Sequence, residues 1–161
     1  MKQTLSVLVE NKPGVLTRVA GLFARRGFNI DSLVVAETED PQVSRMTITI
    51  DERDQSVEQI TKQLHKLINV LKITTLDPGS SVERELLLVK VRADTRSRPE
   101  IMQMTEIFGA RIADVSSDVL LIEMTGTREK VTSFMELLQP FGVVELMRTG
   151  RVAMSRGPKV T

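Results

Sequence analysis

The chain contains no cysteine, no tryptophan and no tyrosine, and its single histidine is His65. The missing thiols exclude disulfides, thiolate metal sites and a cysteine nucleophile together. One imidazole without a Cys or a second His makes a poor metal centre, so His65 is read as a surface or dimer-contact residue. Aromatics are 3% of the 161 residues, all of them Phe, which removes the stacking platforms of a single-strand nucleic-acid binder. An excess of one charge is also missing. Lys plus Arg number 22 against 21 Asp plus Glu, with 10 of each in residues 1–77 and 12 against 11 in residues 78–161. Neither half has the basic surplus that a phosphate backbone or an anionic membrane calls for. No apolar run approaches the ~20 residues that span a bilayer, and Met1–Val9 lacks the layout of a signal peptide. The expectation is a cytoplasmic protein with neither nucleic acid nor membrane as partner.

The patterns present describe one six-element unit written twice. Thr4–Val9 is a short β-branched run; Val15, Val19, Leu22 and Phe23 then recur at helical spacing up to Arg25-Arg26-Gly27. Ile30–Glu37 and Met46–Ile50 read as strands, Val57, Ile60, Leu64, Leu67 and Ile68 as a helical stripe, and Val70–Leu76 as a strand. Asp77-Pro78-Gly79-Ser80-Ser81 is the strongest punctuation, and the domain boundary is expected there, giving units 1–77 and 78–161. The order then repeats. Glu85–Arg92 is a strand and Ile101, Met104 and Phe108 line a helix. Arg111–Val115 and Val119–Thr125 form a hairpin, Val131, Phe134, Met135 and Leu138 line a helix, and Val143–Arg148 is the last strand. Residues 149–161 carry Arg151, Arg156 and Lys159 without acids and read as a basic tail or a partner-ordered arm. β-α-β-β-α-β is the ferredoxin-like order, so the expected fold class is α+β, with antiparallel four-stranded sheets and helices on one face. Units this small are near the lower limit for a self-sufficient core. The second face of apolar strands such as LSVLV and ELLLVKV needs cover, and a second copy in a homodimer is expected to supply it.

The segment with chemistry is Glu10-Asn11-Lys12-Pro13-Gly14-Val15-Leu16, a strand end, a turn and a helix start. Pro13 presets φ for a first turn and Gly14 lets a ligand approach the backbone closely. The N–H groups of Gly14, Val15 and Leu16 lie at the positive end of the helix dipole, where a carboxylate is favoured. The Asn11 carbonyl is placed to accept from an ammonium, so an α-amino acid fits the pair. Asn-x-Pro-Gly is equally good turn and cap chemistry with no ligand at all. Asn29, at the other end of the helix, has the same two readings: a turn residue, or a polar anchor offered across a dimer interface.

Elsewhere the residues give little. Glu37, Glu39 and Asp40 attract a hard cation or line a solvated loop, the latter being the commoner case. Asp51, Glu52 and Asp54 lie in a polar loop rather than a cleft. Ser155-Arg156-Gly157 has no base nearby. Met102, Met104, Met124 and Met135 read as core packing, while Met147 and Met154 are candidates for a partner-facing surface. No nucleophile, base and donor converge, so no catalytic residue is expected.

The run from Leu5 to Ile48 (LSVLVENKPGVLTRVAGLFARRGFNIDSLVVAETEDPQVSRMTI) resembles the ACT domain, a small-molecule sensor module of amino-acid metabolism. GFNIDSLVVAETEDP, SRMTI, QLHKLINVLKI, VERELLLVKV and RTGRVAMSRG together resemble the small regulatory subunits of acetolactate synthase, over nearly the full length and in order. The resemblance implies a non-catalytic chain that activates a large catalytic subunit and confers feedback inhibition by valine. It implies that Asn11, Gly14, Val15 and Leu16 of one chain and Asn29 and Ile30 of another hold the effector. Thiamine diphosphate, Mg and FAD are then expected on the catalytic subunit and no cofactor on this chain. A free-standing ACT sensor regulating another enzyme and a small enzyme on a ferredoxin-like sheet are the competing readings.

Overall fold

The computed structural model describes residues 1–53 and 56–161; Asp54, assigned above to a polar loop, lies outside them. Contacts divide the chain into Met1–Glu83 with Arg151–Thr161, and Arg84–Gly150. The first unit runs β1 (Lys2–Glu10), α1 (Val15–Arg25), β2 (Ser32–Glu37), β3 (Val43–Asp51), α2 (Val57–Leu64) and β4 (Val70–Leu76). Its antiparallel sheet has the order β2-β3-β1-β4. A 3₁₀ turn at Pro78–Ser80 leads into β5 (Ser81–Arg92), whose first residues still belong to this unit. The second unit continues with α3 (Arg98–Ile107), β6 (Arg111–Val115), β7 (Val119–Gly126), α4 (Arg128–Leu138) and β8 (Val143–Arg148), in sheet order β6-β7-β5-β8. A short β9 (Val152–Ser155) pairs with β5. The doubled ferredoxin-like fold is as expected.

The period-2 and period-3.6 patterns explain the cores. In the first unit, Leu5, Val7 and Val9 alternate along β1, and register with β3 puts Met46, Ile48 and Ile50 on the same face. Val15, Val19, Leu22 and Phe23 of α1 and Ile60 and Leu64 of α2 close over them. Full burial of each such side chain contributes about 1.5–3 kcal/mol. In the second unit, Leu87, Val89 and Val91 of β5 and Leu120, Ile122 and Met124 of β7 meet Ile101, Val131, Phe134 and Leu138. Ile68 does not continue the α2 stripe: the helix stops at Leu64, and Ile68 is 85% exposed. Met102 is likewise half-exposed rather than core, because α3 turns Ile101 and Thr105 inward instead.

Contacts group the chain differently from the expected units 1–77 and 78–161: the division falls at Glu83/Arg84, inside β5, and residues 151–161 group with the first unit. The outer face of the first sheet is also not an apolar surface waiting for a second copy. Register places Ser32, Thr49, Thr4 and Leu76 in one row, Val34, Thr47, Ser6 and Thr74 in the next, and Ala36, Arg45, Leu8 and Lys72 in a third. Thr4, Ser6, Thr47 and Thr49 are nonetheless buried. The chain's own residues 151–161 help cover this face. Arg45 Nη1 donates to Ser6 Oγ (2.7 Å) and to the Thr161 main-chain oxygen (3.1 Å), and Lys72 Nζ donates to Val160 O (3.0 Å). The outer face of the second sheet has no such cover from its own unit, and Leu86 and Leu88 are exposed there.

Candidate functional site

The Asn11–Leu16 turn is built by backbone bonds on both sides. Asn11 N–H donates to Gln42 O (2.7 Å) and Lys12 N–H to Glu10 O (3.0 Å). Gly14 is the N-cap of α1 at φ 84°, a left-handed conformation for which glycine is the natural residue. The Val15 N–H reaches Lys12 O only at 3.4 Å, while the Gly14 and Leu16 N–H groups meet no acceptor among the described residues. No side chain caps this helix and no acid lies in its first turn. The positive end of α1 is left with open donors.

The Asn11 side chain is oriented rather than free. Its Nδ2 donates to Pro41 O (2.9 Å) and to Glu37 Oε1 (3.3 Å), which leaves Oδ1 as the atom available to accept. Beneath the turn lies a polar network that sequence reasoning missed. Arg18 Nη1 of α1 donates to Asn69 Oδ1 (2.6 Å), and Asn69 Nδ2 donates to Glu10 Oε2 (3.2 Å). Lys12 pairs with the same Glu10 oxygen at 2.6 Å. Lys12 first, and then Asn69, hold the Glu10 carboxyl below its ordinary value. Asn69 ties the end of β1 to the first turn of α1, and its only sequence signal is an Asn opening a β-branched strand.

The remaining candidates lie at the far end of the same helix. Gly27 (φ 67°) ends α1 and Phe28 N–H returns to Phe23 O at 2.8 Å, a left-handed helix stop. Asn29 is exposed with no hydrogen-bond partner among the described residues, and Ile30 is half-buried against the core. Within one chain Asn29 and Ile30 are therefore not brought to Asn11, Gly14, Val15 and Leu16. The 11-residue helix between them is about 16 Å long, far beyond the reach of one free amino acid.

The second unit provides an internal control. Its equivalent turn, between β5 and α3, begins at Asp94, whose Oδ1 accepts from Ser97 N–H (2.8 Å), Arg96 N–H (2.9 Å) and Ser97 Oγ (3.0 Å). The Ser97 main chain, then its hydroxyl, then Arg96 hold the Asp94 carboxyl below its ordinary value. A built-in carboxylate thus takes up the donors of this turn, where the first unit leaves its own open. Arg98 Nη2 ties the same region to the carbonyls of Ser116 (2.8 Å) and Ser117 (2.7 Å).

Comparison with known proteins bears on both units. Residues 5–72 match the family model described as the AHAS small subunit-like ACT domain, and residues 84–157 match that of the small subunit of acetolactate synthase. The chain is 56% identical to a probable acetolactate synthase small subunit of Archaeoglobus fulgidus, with 99% of each chain covered. It is 53% identical to the acetolactate synthase small subunit of Mycolicibacterium smegmatis, over 97% of this chain and 92% of that one. The crystal structure of the acetolactate synthase small subunit from Thermotoga maritima superposes with a TM-score of 0.92, at 48% identity and 99% coverage of both.

Proposed function

The chain belongs to the acetolactate synthase small-subunit family, and from that membership we propose that it activates a large catalytic subunit and makes it sensitive to valine. In this reading the chain has no chemistry of its own. Acetolactate formation and its thiamine diphosphate, Mg and FAD belong to the catalytic subunit, in the cytoplasm. The observation that carries the effector reading is the open, uncapped start of α1 at Gly14–Leu16 beside an Asn11 whose amide nitrogen is already engaged. Main-chain donors at a helix dipole suit the carboxylate, and Asn11 Oδ1 suits the ammonium.

Asn29 and Ile30 join this site only from a second chain. Two copies of α1 packed antiparallel about a two-fold axis put the start of one helix beside the end of the other. Leu16, Ala20 and Ala24 form an exposed stripe at i, i+4 and i+8 along α1, so two such helices can approach closely. The edge strand β2, with Val35 exposed, has one pairing edge unused among the described residues. Two bound effectors then change how two chains sit together. Coupling to the catalytic subunit follows if valine prefers one arrangement, at a magnitude of typically ~1–3 kcal/mol.

The test is reconstitution. The purified chain is mixed with a thiamine-dependent catalytic subunit, and acetolactate formation is assayed with and without valine. Higher activity on mixing and inhibition by valine are expected. A free-standing sensor of another enzyme would leave acetolactate formation unchanged.

A further inference from the structure

The chain passes between its two units only at Glu83–Arg84 and Gly150–Arg151. The second passage, after Gly150 (φ 85°), delivers residues 151–161 to the outer face of the sensor sheet. We propose that these residues are a reversible strap that relays the effector-bound state of the sensor sheet to the second unit. The proposal rests on the effector reading given above and adds the element that transmits it.

Three observations carry it. The first is the nature of the attachment. Arg151, only 7% exposed, pairs with Glu83 at 3.2 Å, and its Nη1 donates to Thr4 Oγ1 at 3.3 Å. Arg156 N–H donates to Ser80 O (2.8 Å) and Ser155 N–H to Thr161 Oγ1 (2.8 Å), and Arg45 and Lys72 hold the far end through the Thr161 and Val160 oxygens. Among its apolar side chains Ala153 is buried, whereas Val152, Met154 and Val160 are exposed. Beyond the β9–β5 pairing the attachments are polar, and with so little apolar area buried the hydrophobic effect adds little to holding the segment down.

The second observation is that the docked state is imperfect. Arg151 Nε, within the strap itself, is buried without a hydrogen-bond partner among the described residues. Such a group disfavours the closed arrangement and brings an open one within reach. The third is position. The strap grips β1 at Thr4 and β3 at Arg45, which also donates to Ser6 of β1. The same β1–β3 ladder runs on through Leu8–Arg45 to Glu10–Val43, where Asn11 N–H meets Gln42 O. The strap's anchors and the effector turn share one ladder, so a shift in either is felt by the other.

The test uses the full chain with the catalytic subunit and three readouts: valine affinity by calorimetry, valine inhibition of acetolactate formation, and amide exchange in residues 151–161. Arg151→Met is expected to speed exchange at Ser155 and Arg156 about tenfold or more. It should shift valine affinity, without abolishing it, by no more than the roughly 5- to 150-fold that a reciprocal coupling allows, and lower maximal inhibition by about half or more. Lys72→Met, which removes one bond from an exposed side chain, should act in the same direction more weakly, and it serves if Arg151→Met fails to fold. Faster exchange with unchanged inhibition would overturn the relay, as would exchange that does not rise. Loss of valine affinity in Arg151→Met would make the segment part of the binding fold rather than a relay. Absence of valine binding by the unaltered chain would instead overturn the effector reading, and the strap's role with it.

Discussion

Gly14 combines two features that separate ligand chemistry from folding. Its φ of 84° is costly for other residues, yet a Cβ built there meets nothing within 4 Å. Gly14→Asp is therefore expected to fold with a loss of about 1 kcal/mol from backbone strain. Its carboxylate would stand where the effector's belongs. Thermal unfolding should show a small shift, and calorimetry should show valine binding abolished while activation of the catalytic subunit survives. Asn29→Ala removes an exposed amide with no partner among the described residues and should leave stability unchanged. Valine binding should weaken by roughly 10- to 150-fold, the equivalent of about 1.5–3 kcal/mol; a midpoint within a factor of two would make Asn29 a turn residue only. Asp94 provides the contrast in the second unit. Its depressed pKa means the stabilisation it supplies is present above its ordinary value of 3.8 and is lost as pH falls through the lower folded value. Asp94→Asn should lower the unfolding temperature at pH 7, and the gap to the parent should narrow as the pH falls below 3.8. Asn11, Gly14 and Asn29 were legible in the sequence as turn chemistry, but which turn kept its donors open was not. Asp94 also precedes a helix, and only its hydrogen bonds reveal a self-occupied turn.

At the scale of elements, α1 does three tasks with one sequence. Val15, Val19, Leu22 and Phe23 anchor it to the sheet, its start presents open donors, and its Leu16, Ala20 and Ala24 stripe is left exposed. The apolar spacing announced the first task. Arg18 shows what the pattern hides, since it reads as a solvated cation yet reaches Asn69, 51 positions away. Asn69→Ala should break the link from Arg18 to Glu10 while the backbone bond from Glu10 N–H to Asn69 O remains. The expected result is several-fold weaker valine binding with an unfolding temperature within a few degrees of the parent, checked by calorimetry and thermal melts. The short β9 was equally hidden. Four residues with a single apolar alternation carry no strand signal of their own. The partners that hold residues 151–161, Thr4, Arg45 and Lys72, lie between 88 and 147 positions away in sequence.

At the scale of the whole molecule, the doubling of βαββαβ was legible because each repeat carries the same change of period, from 2 to 3.6 and back. The organisation laid over that doubling was not. Residues 84–150 are inserted between the first unit and its last eleven residues, 151–161, and only contacts between distant segments show this. In the proposed reading the effector site is incomplete in one chain, because α1 holds its two groups of candidate residues at opposite ends. Completion across a two-fold axis has a consequence that no single-chain site shares. A dimer of one Gly14→Asp chain with one Asn29→Ala chain contains one doubly broken site and one with every residue intact. The decisive measurement is calorimetric titration of valine into a subunit-exchanged equimolar mixture of these two variants, each silent or weakened alone. Recovery of parental affinity at roughly one quarter of the sites, as random mixing demands, is the predicted result. A mixture that binds valine no better than its two components would contradict a site shared between two chains.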